Sequence, residues 1–583
     1  MNDHPRPQLV RDSYTPLDGP WDFVIDSGDL GLQARWYQDR SAFTRTIVVP
    51  FPPESPASGI GEIVLSPMWY RREFYHEPRH GERLLLHFEA VDYRASVWVN
   101  GTFVGDHEGG QSRFTFDVTD AARSGTNELV VRVVDDLDLE QPRGKQDWRP
   151  EPHVIWYRRT SGVWRSVWLE TVPDARIDRL VLTPQPDLTS LRLEARIVGT
   201  VSPSTTLEVE VTLDGTVLAR TVVGCTSRVA RAVIVLDHAS LDAEPEDFWW
   251  TPERPTLLDV TARLAHDGLP VDTVHSYVGL RTVGTDATHV LLNERPCFLR
   301  LVLEQGYWPE TYLASPSAEA LEREVLLIKE LGFNGIRMHQ TSADPRFLEC
   351  CDRLGLLVFA DIAAAYRFSD VALARTATEL TALVQRDANH PCVVGWVPFN
   401  ESWGVPRLVA DPAHRHAVEA MYALVKALDP SRLALGNDGW EYAAGDVVGV
   451  HDYVQDGLSL QERYGTEAAV RRTLLRERPG GRALLLPGTE AQAAARPVVL
   501  TEFGGLSAHD DVTAWQAYGD ILEPDELPSR LSALVRPLLE SSGLAGFCYT
   551  QLTDTAQEKN GLLTEQREPK CPPERIRAAV RGR

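Results

Sequence analysis

Two glutamates, each close behind a short apolar segment, could together carry out acid–base and nucleophilic chemistry. Glu401 follows the segment 393–398, and Glu502 follows the segment 498–501. Cleavage of a glycosidic bond with retention needs a carboxylic acid that protonates the leaving oxygen and, about 5–5.5 Å away, a carboxylate that attacks the anomeric carbon. The two residues therefore predict a retaining glycosidase, provided that the fold brings both segments to one end of a domain.

The part of the chain that must position these glutamates, residues 285–583, alternates short apolar segments with segments of helical periodicity. This pattern is typical of a parallel sheet surrounded by helices. We predict a (β/α)8 TIM barrel with strands at 298–302, 335–337, 356–359, 393–398, 433–435, 447–450, 498–501 and 545–548. Helices are predicted at 318–331, 417–428 and 529–541, among others. Because active sites in this fold lie at the carboxyl ends of the strands, Glu401 and Glu502 are expected to face each other across the barrel mouth.

The preceding residues contain short strands separated by turns and form two further predicted domains. Residues 1–171 include alternating segments at 95–99, before the turn pair Asn100-Gly101, and at 128–134, which favour a β-sandwich of the jelly-roll type. Residues 172–284 include similar segments at 191–197 and 207–213, and their length suits one immunoglobulin-like β-sandwich. The predicted architecture is thus multidomain, with the catalytic barrel last.

Composition limits the partners and the location of the protein. The sequence has 59 basic and 83 acidic residues, a net charge of −24, so we expect neither nucleic acid nor an anionic membrane as a partner. No segment approaches the roughly 20 apolar residues of a membrane span, and the first residues do not resemble a signal peptide, which predicts a cytoplasmic protein. A neutral carbohydrate is the expected partner. The sequence does not decide whether the chain forms a homo-oligomer.

Several motifs give the chain a resemblance to glycoside hydrolase family 2. Asn400-Glu401 after a strand and Glu502 at the start of Glu-Phe-Gly are similar to the two catalytic signatures of that family. The segments 17–23, 97–101 and 161–169 resemble its sugar-binding jelly roll, and the order of the three predicted domains agrees. The resemblance implies that Glu401 is the acid/base, that Glu502 is the nucleophile and that Asn400 binds the 2-hydroxyl of the sugar.

Other polar and aromatic residues at the predicted strand ends are candidates for substrate contact. Arg337 and His339 resemble an Arg and a His that lie beneath the substrate in the family, and Arg337 could keep Glu502 ionised. The resemblance also implies a hydrogen bond to the nucleophile from Tyr453 or His451. Each of these side chains could instead be a structural partner inside the barrel. The remaining candidates for substrate contact are Trp396, Trp403, Asp361, Glu304, Tyr549, Gln551 and Asp554.

The sequence favours a β-galactosidase-like exo-enzyme but leaves the sugar open. Family members that act on glucuronides carry an Asn-x-Lys pair, whereas the segment 558–561 reads Glu-Lys-Asn-Gly here, although Lys559 could still supply a positive charge. A furanosidase for galactofuranosides or arabinofuranosides is an alternative, and so is a carbohydrate-binding protein without catalysis. The seven cysteines include no CxxC pair, and no cluster of metal ligands is evident, so hydrolysis without a metal or cofactor is predicted. The segment 458–495 is predicted to form a short helix and an irregular loop over one end of the barrel.

Overall fold

The computed structural model describes residues 4–237, 244–509, 514–515 and 518–582. The first domain is a β-sandwich whose two main antiparallel sheets have the strand orders β1-β12-β5-β9 and β3-β2-β4-β10-β7-β8, while β11 pairs with β6. Its twelve strands are β1 Tyr14–Pro16, β2 Gly19–Ile25, β3 Arg45–Val49, β4 Met68–His76, β5 Glu82–Phe88, β6 Val91–Asp92, β7 Arg94–Val99, β8 Thr102–Glu108, β9 Phe114–Asp117, β10 Gly125–Val134, β11 Gly162–Val163 and β12 Val167–Pro173. Alternate residues of these strands, such as Val97, Val99 and Val131, are buried between the sheets and form the core.

The second domain is a smaller β-sandwich. Its sheets have the orders β13-β14-β17 and β16-β15-β18-β19. The strands are β13 Arg176–Pro184, β14 Ser190–Val198, β15 Thr205–Leu213, β16 Thr216–Gly224, β17 Val229–Val235, β18 Leu258–His266 and β19 Leu269–Val278. A short antiparallel sheet then leads into the barrel, with strands β20 Val283–Thr285, β21 Val290–Leu292 and β22 Arg295–Pro296.

The third domain contains an eight-stranded parallel sheet in the order β28-β26-β25-β24-β23-β32-β31-β30. Its strands are β23 Leu299–Glu304, β24 Gly335–Met338, β25 Leu357–Asp361, β26 Val393–Val397, β28 Leu433–Ala434, β30 Val448–Asp452, β31 Val498–Gly504 and β32 Gly546–Thr550. Two short strands, β27 Phe399–Asn400 and β29 Asn437–Asp438, form a separate parallel pair. The helices are α1 Ala318–Glu330, α2 Pro345–Leu354, α3 Asp370–Asp387, α4 Pro412–Leu428, α5 Gly457–Tyr464, α6 Glu467–Arg476, α7 Glu490–Ala493, α8 Leu527–Leu539 and α9 Pro573–Arg581.

The barrel closes between the fifth and sixth strand positions, where the backbone N–H of His451 donates to the carbonyl oxygen of Gly439 over 3.1 Å. Strands occur at all eight predicted positions, and the predicted class of three-domain fold is confirmed. The segment 458–495 differs from its prediction in the number of helices, because it contains α5, α6 and α7 rather than one helix, with an irregular loop at 477–489 between α6 and α7. In this segment, α5 packs on α8 in the outer layer of the barrel.

Buried polar contacts fix the jelly-roll domain and the second domain to the barrel. Glu379 on α3 accepts the backbone N–H of Gln111, and Arg386 on the same helix forms an ion pair with Glu89 at 3.2 Å. The second domain accepts a hydrogen bond from the Asn389 side chain at the carbonyl of Leu180, over 2.7 Å. No helix in the described part of the chain is both long and apolar enough to cross a membrane.

Candidate active site

The pair β27 and β29 extends the fourth and fifth strand positions past the main sheet and holds Glu401. The backbone N–H of Glu401 donates to the carbonyl of Asp438 over 2.9 Å, and the N–H of Ser402 donates to the side-chain oxygen of Asn437 over 2.9 Å. Glu401 and Ser402 have φ angles of 51° and 58°, in the left-handed region that side-chain-bearing residues rarely adopt. Such a conformation persists only where the surrounding contacts impose it, so these hydrogen bonds determine where the Glu401 carboxylate lies.

Glu502 lies within β31 and is held through both of its oxygens. Arg337 donates from Nη1 to Oε1 of Glu502 over 2.9 Å, and the hydroxyl of Tyr453 donates to Oε2. The Tyr453 hydroxyl also lies 3.2 Å from Oγ1 of Thr550 on β32. Hydrogen bonds to both oxygens fix the orientation of the carboxylate.

The guanidinium of Arg337, on β24, organises the floor of the site. It forms two hydrogen bonds to Asp361, of 3.0 and 2.8 Å, and an ion pair of 2.8 Å with Asp438. It also donates to Oδ1 of Asn400 over 2.7 Å. Burial opposes its charge, but the surrounding carboxylates hold the pKa of Arg337 well above its ordinary range. Arg337 is therefore a permanent buried cation that fixes the residues around it.

His451 lies between the two glutamates. Its Nδ1 is 2.9 Å from Oε1 of Glu401, and its Nε2 is 3.3 Å from Oδ2 of Asp438 and 3.5 Å from Oε1 of Glu502. Although burial disfavours the imidazolium, the neighbouring carboxylates raise the pKa of His451 to about 10. Burial also disfavours an ionised Glu401, but the hydrogen bond from His451 outweighs it and lowers the pKa of Glu401. His451 thus carries a positive charge at neutral pH, and this charge lies next to the carboxylates of both glutamates.

The two glutamates are close enough for concerted chemistry, since an oxygen of Glu401 and an oxygen of Glu502 lie within 4.8 Å of each other. These glutamates and His451 could also surround a cation, but the atoms concerned are already engaged with Arg337, Tyr453 and each other. A second group with metal-ligand chemistry, Asp352, His390 and Cys392, lies outside this site. There the carboxylate accepts hydrogen bonds from the His390 ring, the Cys392 backbone and the hydroxyl of Tyr277.

A chain of hydrogen bonds, here called the amide chain, extends from the site toward β32 through amide side chains and the ring of His339. The Nδ2 group of Asn400 donates to Nε2 of His339 over 3.2 Å, and Nδ1 of His339 lies 3.0 Å from Oε1 of Gln305. Gln305 then donates to Gln551, which donates to Asn560, over 2.7 and 2.8 Å. Burial, together with the charge of Arg337, holds the pKa of His339 well below its ordinary value, so the ring is neutral. A neutral ring that receives a proton at Nε2 must carry its own proton on Nδ1.

The pocket above the two glutamates is built by two domains. The loop between β10 and β11 of the jelly-roll domain contributes Lys145, Ile155 and Trp156, while the barrel contributes the rest. Trp156 packs edge-to-face on Trp403, with ring centroids 5.3 Å apart. The lining residues from the barrel are Leu303, Gln305, His339, Gln340, Tyr366, Asn400, Glu401, Trp403, Tyr453, Glu502, Tyr518, Thr550 and Glu558. The pocket is narrow, because these side chains leave a cavity of about 20 Å³ between them.

The structure brings most of the predicted site residues together. Glu401, Glu502, Asn400, His339, Tyr453 and Trp403 line the pocket, Arg337, Asp361 and His451 lie directly behind them, and Gln551 belongs to the amide chain. Four predicted residues lie elsewhere because their side chains have other partners. Trp396 donates to Asp429, Tyr549 accepts the N–H of Leu506, Glu304 accepts the N–H of Gly306, and Asp554 pairs with Lys570.

Sequence reasoning missed several residues of the site. Asp438 closely follows the predicted fifth strand, so its position could have identified it as a candidate. Gln305 and Glu558 lie in the loops after the first and eighth strands, among many other polar residues. Lys145 belongs to another domain, and no motif around it indicates that it reaches the barrel.

A three-domain chain with two glutamates facing each other at the carboxyl ends of barrel strands has the architecture of a glycoside hydrolase. The chain belongs to glycoside hydrolase family 2: its residues 60–169, 175–281 and 291–505 match that family's galactose-binding domain-like, central and TIM barrel domains, respectively. The predicted family is thus confirmed.

Individual relatives carry two different names. A β-galactosidase of Thermoanaerobacter pseudethanolicus is 30% identical over 57% of this chain, which spans only 44% of that protein's length. A β-glucuronidase of Sus scrofa is 25% identical over 95% of this chain and 88% of its own length. Among solved structures, a β-glucuronidase from an uncultured Clostridium sp. has a TM-score of 0.78 at 20% identity, with 99% of each chain covered.

Proposed function

We propose that this protein is a retaining exo-β-glycosidase that removes a terminal non-reducing sugar through a covalent glycosyl-enzyme intermediate. The observation that carries the proposal is the separation of the two glutamates, whose nearest oxygens lie within 4.8 Å. Retaining enzymes hold their two carboxyl groups about 5–5.5 Å apart, whereas inverting enzymes need about 6.5–9.5 Å to fit a water molecule. The shorter separation supports double displacement.

In the first step, Glu401 gives its proton to the glycosidic oxygen while an oxygen of Glu502 attacks the anomeric carbon. The bond to the aglycone breaks, and the alcohol leaves with the proton of Glu401. Arg337 and Tyr453 support this step because their hydrogen bonds hold the Glu502 carboxylate in a fixed orientation. Asn400, anchored by Arg337, is placed to bind the 2-hydroxyl, a contact that strengthens in the transition state.

In the second step, Glu401 acts as a base and takes a proton from water while the water oxygen attacks the anomeric carbon. The ester bond to Glu502 breaks, and the sugar is released with its original configuration. His451 suits this step, because its charge favours the ionised form of Glu401. Before the first step, Glu401 must be protonated. Nδ1 of His451 lies 2.9 Å from Oε1 of Glu401 and can donate this proton directly.

An exo mode of action agrees with the pocket walls. The jelly-roll loop with Lys145 and Trp156 covers one side of the site, and Trp403 packs against Trp156. Such walls leave room for a chain end rather than for a continuous polysaccharide. A galactoside is the first substrate to consider, with a glucuronide as its rival, since the relatives bear both names.

The proposal is tested with nitrophenyl β-glycosides of galactose, glucuronic acid, mannose and galactofuranose, together with the α-L-arabinofuranoside. We expect at least one to be hydrolysed, with the first-formed product retaining its configuration by NMR. Glu502→Ala and Glu401→Ala should each lower kcat by about 10³-fold or more, because each removes a group that takes part in bond breaking.

Glu568→Ala, in an exposed position of the same domain, serves as the control and should keep full activity. Inversion of configuration, or undiminished hydrolysis by Glu502→Ala, would contradict the proposed mechanism. Failure of the wild type on every glycoside of the panel would favour the binding protein without catalysis.

A further inference from the structure

A cavity of about 450 Å³ lies at the end of the barrel opposite to the two glutamates. Its walls come from the loop 249–254 of the second domain, the segment 292–298 around β22, Arg300 near the start of β23, and Asn334 just before β24. The described residues of these walls include none that lines the pocket above the two glutamates. Sites for small molecules are typically cavities of about 300–1,000 Å³. This cavity is therefore large enough for a second ligand, apart from the substrate.

The charged side chains around this cavity are mainly basic, although the whole chain has a net charge of −24. Those that line it are Arg254, Arg295, Arg300 and Glu253. Arg254 and Arg295 form ion pairs of 2.6 and 2.7 Å with Asp247 and Glu246, respectively. Glu253 is exposed, so water and salt screen its charge. Among the described residues of the cavity, Arg300 is therefore the cation whose charge is left unbalanced.

The guanidinium of Arg300 also has donors without an acceptor. Its Nε is buried and has no hydrogen-bond partner, and none of the described residues forms an ion pair with Arg300. Trp249, which lines the same cavity, has a buried indole N–H that likewise lacks a partner in the described part of the chain. Buried donors are normally paired, and an unpaired one costs its full desolvation penalty. Two such donors around one cavity indicate a ligand that accepts hydrogen bonds.

A carboxylate or phosphate group is the acceptor that best suits these donors. A guanidinium can donate two parallel N–H bonds to such a group, and hydrogen bonds between ionised partners are the strong ones. The nearby thiol of Cys297 cannot take this place, because burial raises its pKa to about 11 and keeps it protonated. Phe298 and Pro296 add apolar lining for the rest of a ligand. The cavity thus combines a charged donor with an apolar wall.

We infer that this cavity binds a small organic anion, whose carboxylate or phosphate group accepts hydrogen bonds from Arg300 and Trp249 while its apolar body packs on Phe298 and Pro296. The site lies away from the two glutamates, so the inference does not rest on the proposed glycosidase function. Because the walls belong to the second domain and the barrel, a bound anion would join the two domains. A ligand that binds only the folded state stabilises it, so binding should raise the Tm.

The test uses four probes that separate the anionic group from the apolar body. Benzoate and phenyl phosphate carry both, benzyl alcohol carries the ring without the charge, and inorganic phosphate carries the charge without the ring. Binding is measured by isothermal titration calorimetry at constant ionic strength, and the Tm by thermal unfolding. We expect benzoate or phenyl phosphate to bind the wild type and raise its Tm, and the comparison of these two identifies the preferred anionic group. Benzyl alcohol and inorganic phosphate should bind roughly 10-fold more weakly, because each lacks one of the two sets of contacts.

Variants of the two donors test their part in binding. Arg300→Met should raise the Kd of the preferred probe by about 10- to 100-fold, because it removes the charge-assisted hydrogen bonds. Trp249→Phe keeps an aromatic ring and removes only the N–H, so a smaller rise of about threefold to tenfold is expected. Arg323→Met, an equal change of charge at an exposed position on α1, is the matched control and should bind like the wild type. Without ligand, the Tm of Arg300→Met should stay close to that of the wild type, because no ion pair among the described residues is lost.

Several outcomes would overturn the inference. Failure of both benzoate and phenyl phosphate to bind would mean that the cavity holds water alone. Equal binding by Arg300→Met would place the anion elsewhere on the protein, and equal binding of benzyl alcohol would make the cavity an apolar site. If inorganic phosphate binds as tightly as phenyl phosphate, the site takes a bare oxyanion rather than an organic one. None of these results depends on hydrolysis of a glycoside, so the proposed function is tested separately.

Discussion

His451 places one ring nitrogen against each of the two glutamates that we propose as catalytic. Since its charge lowers the pKa of Glu401, it also sets the pH above which Glu401 cannot supply a proton. Resemblance indicated Glu401, Glu502, Arg337 and Tyr453, because each lies in a recognisable motif at a strand end. It did not indicate that a charged His451 lies between the two glutamates, because distances between side chains cannot be inferred from their spacing along the sequence.

We predict that His451→Gln shifts the alkaline limb of the kcat/KM profile to higher pH. The neutral amide can still form a hydrogen bond but no longer favours the ionised form of Glu401, so the carboxylic acid keeps its proton to higher pH. The measurement is a pH–rate profile with the best nitrophenyl substrate. His416→Gln, an exposed change on α4, should leave the profile as it is. An unmoved limb in His451→Gln would show that the charge of His451 does not control Glu401.

At the scale of elements, the short pair β27 and β29, rather than a main barrel strand, positions Glu401. The main barrel strands could be predicted, because short, largely apolar segments recur between helical segments in the order expected for a barrel. Strands β27 and β29 could not, because they are two polar-ended residue pairs with no periodicity and no place in the regular alternation of strands and helices. The left-handed backbone at Glu401 and Ser402 was equally unpredictable, since neither is a glycine.

The role of this pair can be tested with Asn437→Ala, which removes the acceptor for the N–H of Ser402. Losing a buried partner should cost about 1–3 kcal/mol of stability. Misplacing Glu401 should also lower kcat by about 10²-fold. Urea unfolding and steady-state kinetics measure the two effects.

Asn334→Ala is the matched control, at the opposite end of the barrel. The Asn334 side chain also holds two backbone groups, accepting from the N–H of Arg300 over 2.8 Å and donating to the carbonyl of Phe298 over 3.0 Å. It should lose similar stability but keep its kcat. Equal losses of kcat in both variants would mean that the effect of Asn437 is general destabilisation.

At the scale of the whole molecule, the contact between the jelly-roll domain and the barrel contains a buried acid. Glu379 is 1% exposed and accepts the backbone N–H of Gln111, and burial raises its pKa to about 8. Domain order could be predicted from turn spacing and strand patterns, and the family and fold class are confirmed. The interface could not be predicted, because its partners are about 270 residues apart and follow no common pattern.

The raised pKa of Glu379 predicts that the stability of the protein depends on pH. The folded protein keeps the proton of Glu379 up to about pH 8, whereas the unfolded chain releases it near 4.5, so stability falls as pH rises between these values. In Glu379→Gln the amide does not titrate, and the Tm should fall less between pH 5 and pH 8 than in the wild type. Glu330→Gln, at an exposed position on α1, should behave like the wild type. A Glu379→Gln variant with the wild-type fall in Tm would exclude this acid as a source of the dependence.

During synthesis, the loop that carries Lys145 leaves the ribosome well before the barrel against which it packs. It leaves the ribosome about 250 residues before Glu401, which at typical rates of 5–20 residues per second is roughly 10–50 s. During that interval Trp156 lies in water, because the barrel that covers it has not yet been synthesised. The same segment carries charged residues, among them Arg143, Lys145 and Arg149, and charges of this kind lower the tendency of an exposed nascent segment to aggregate.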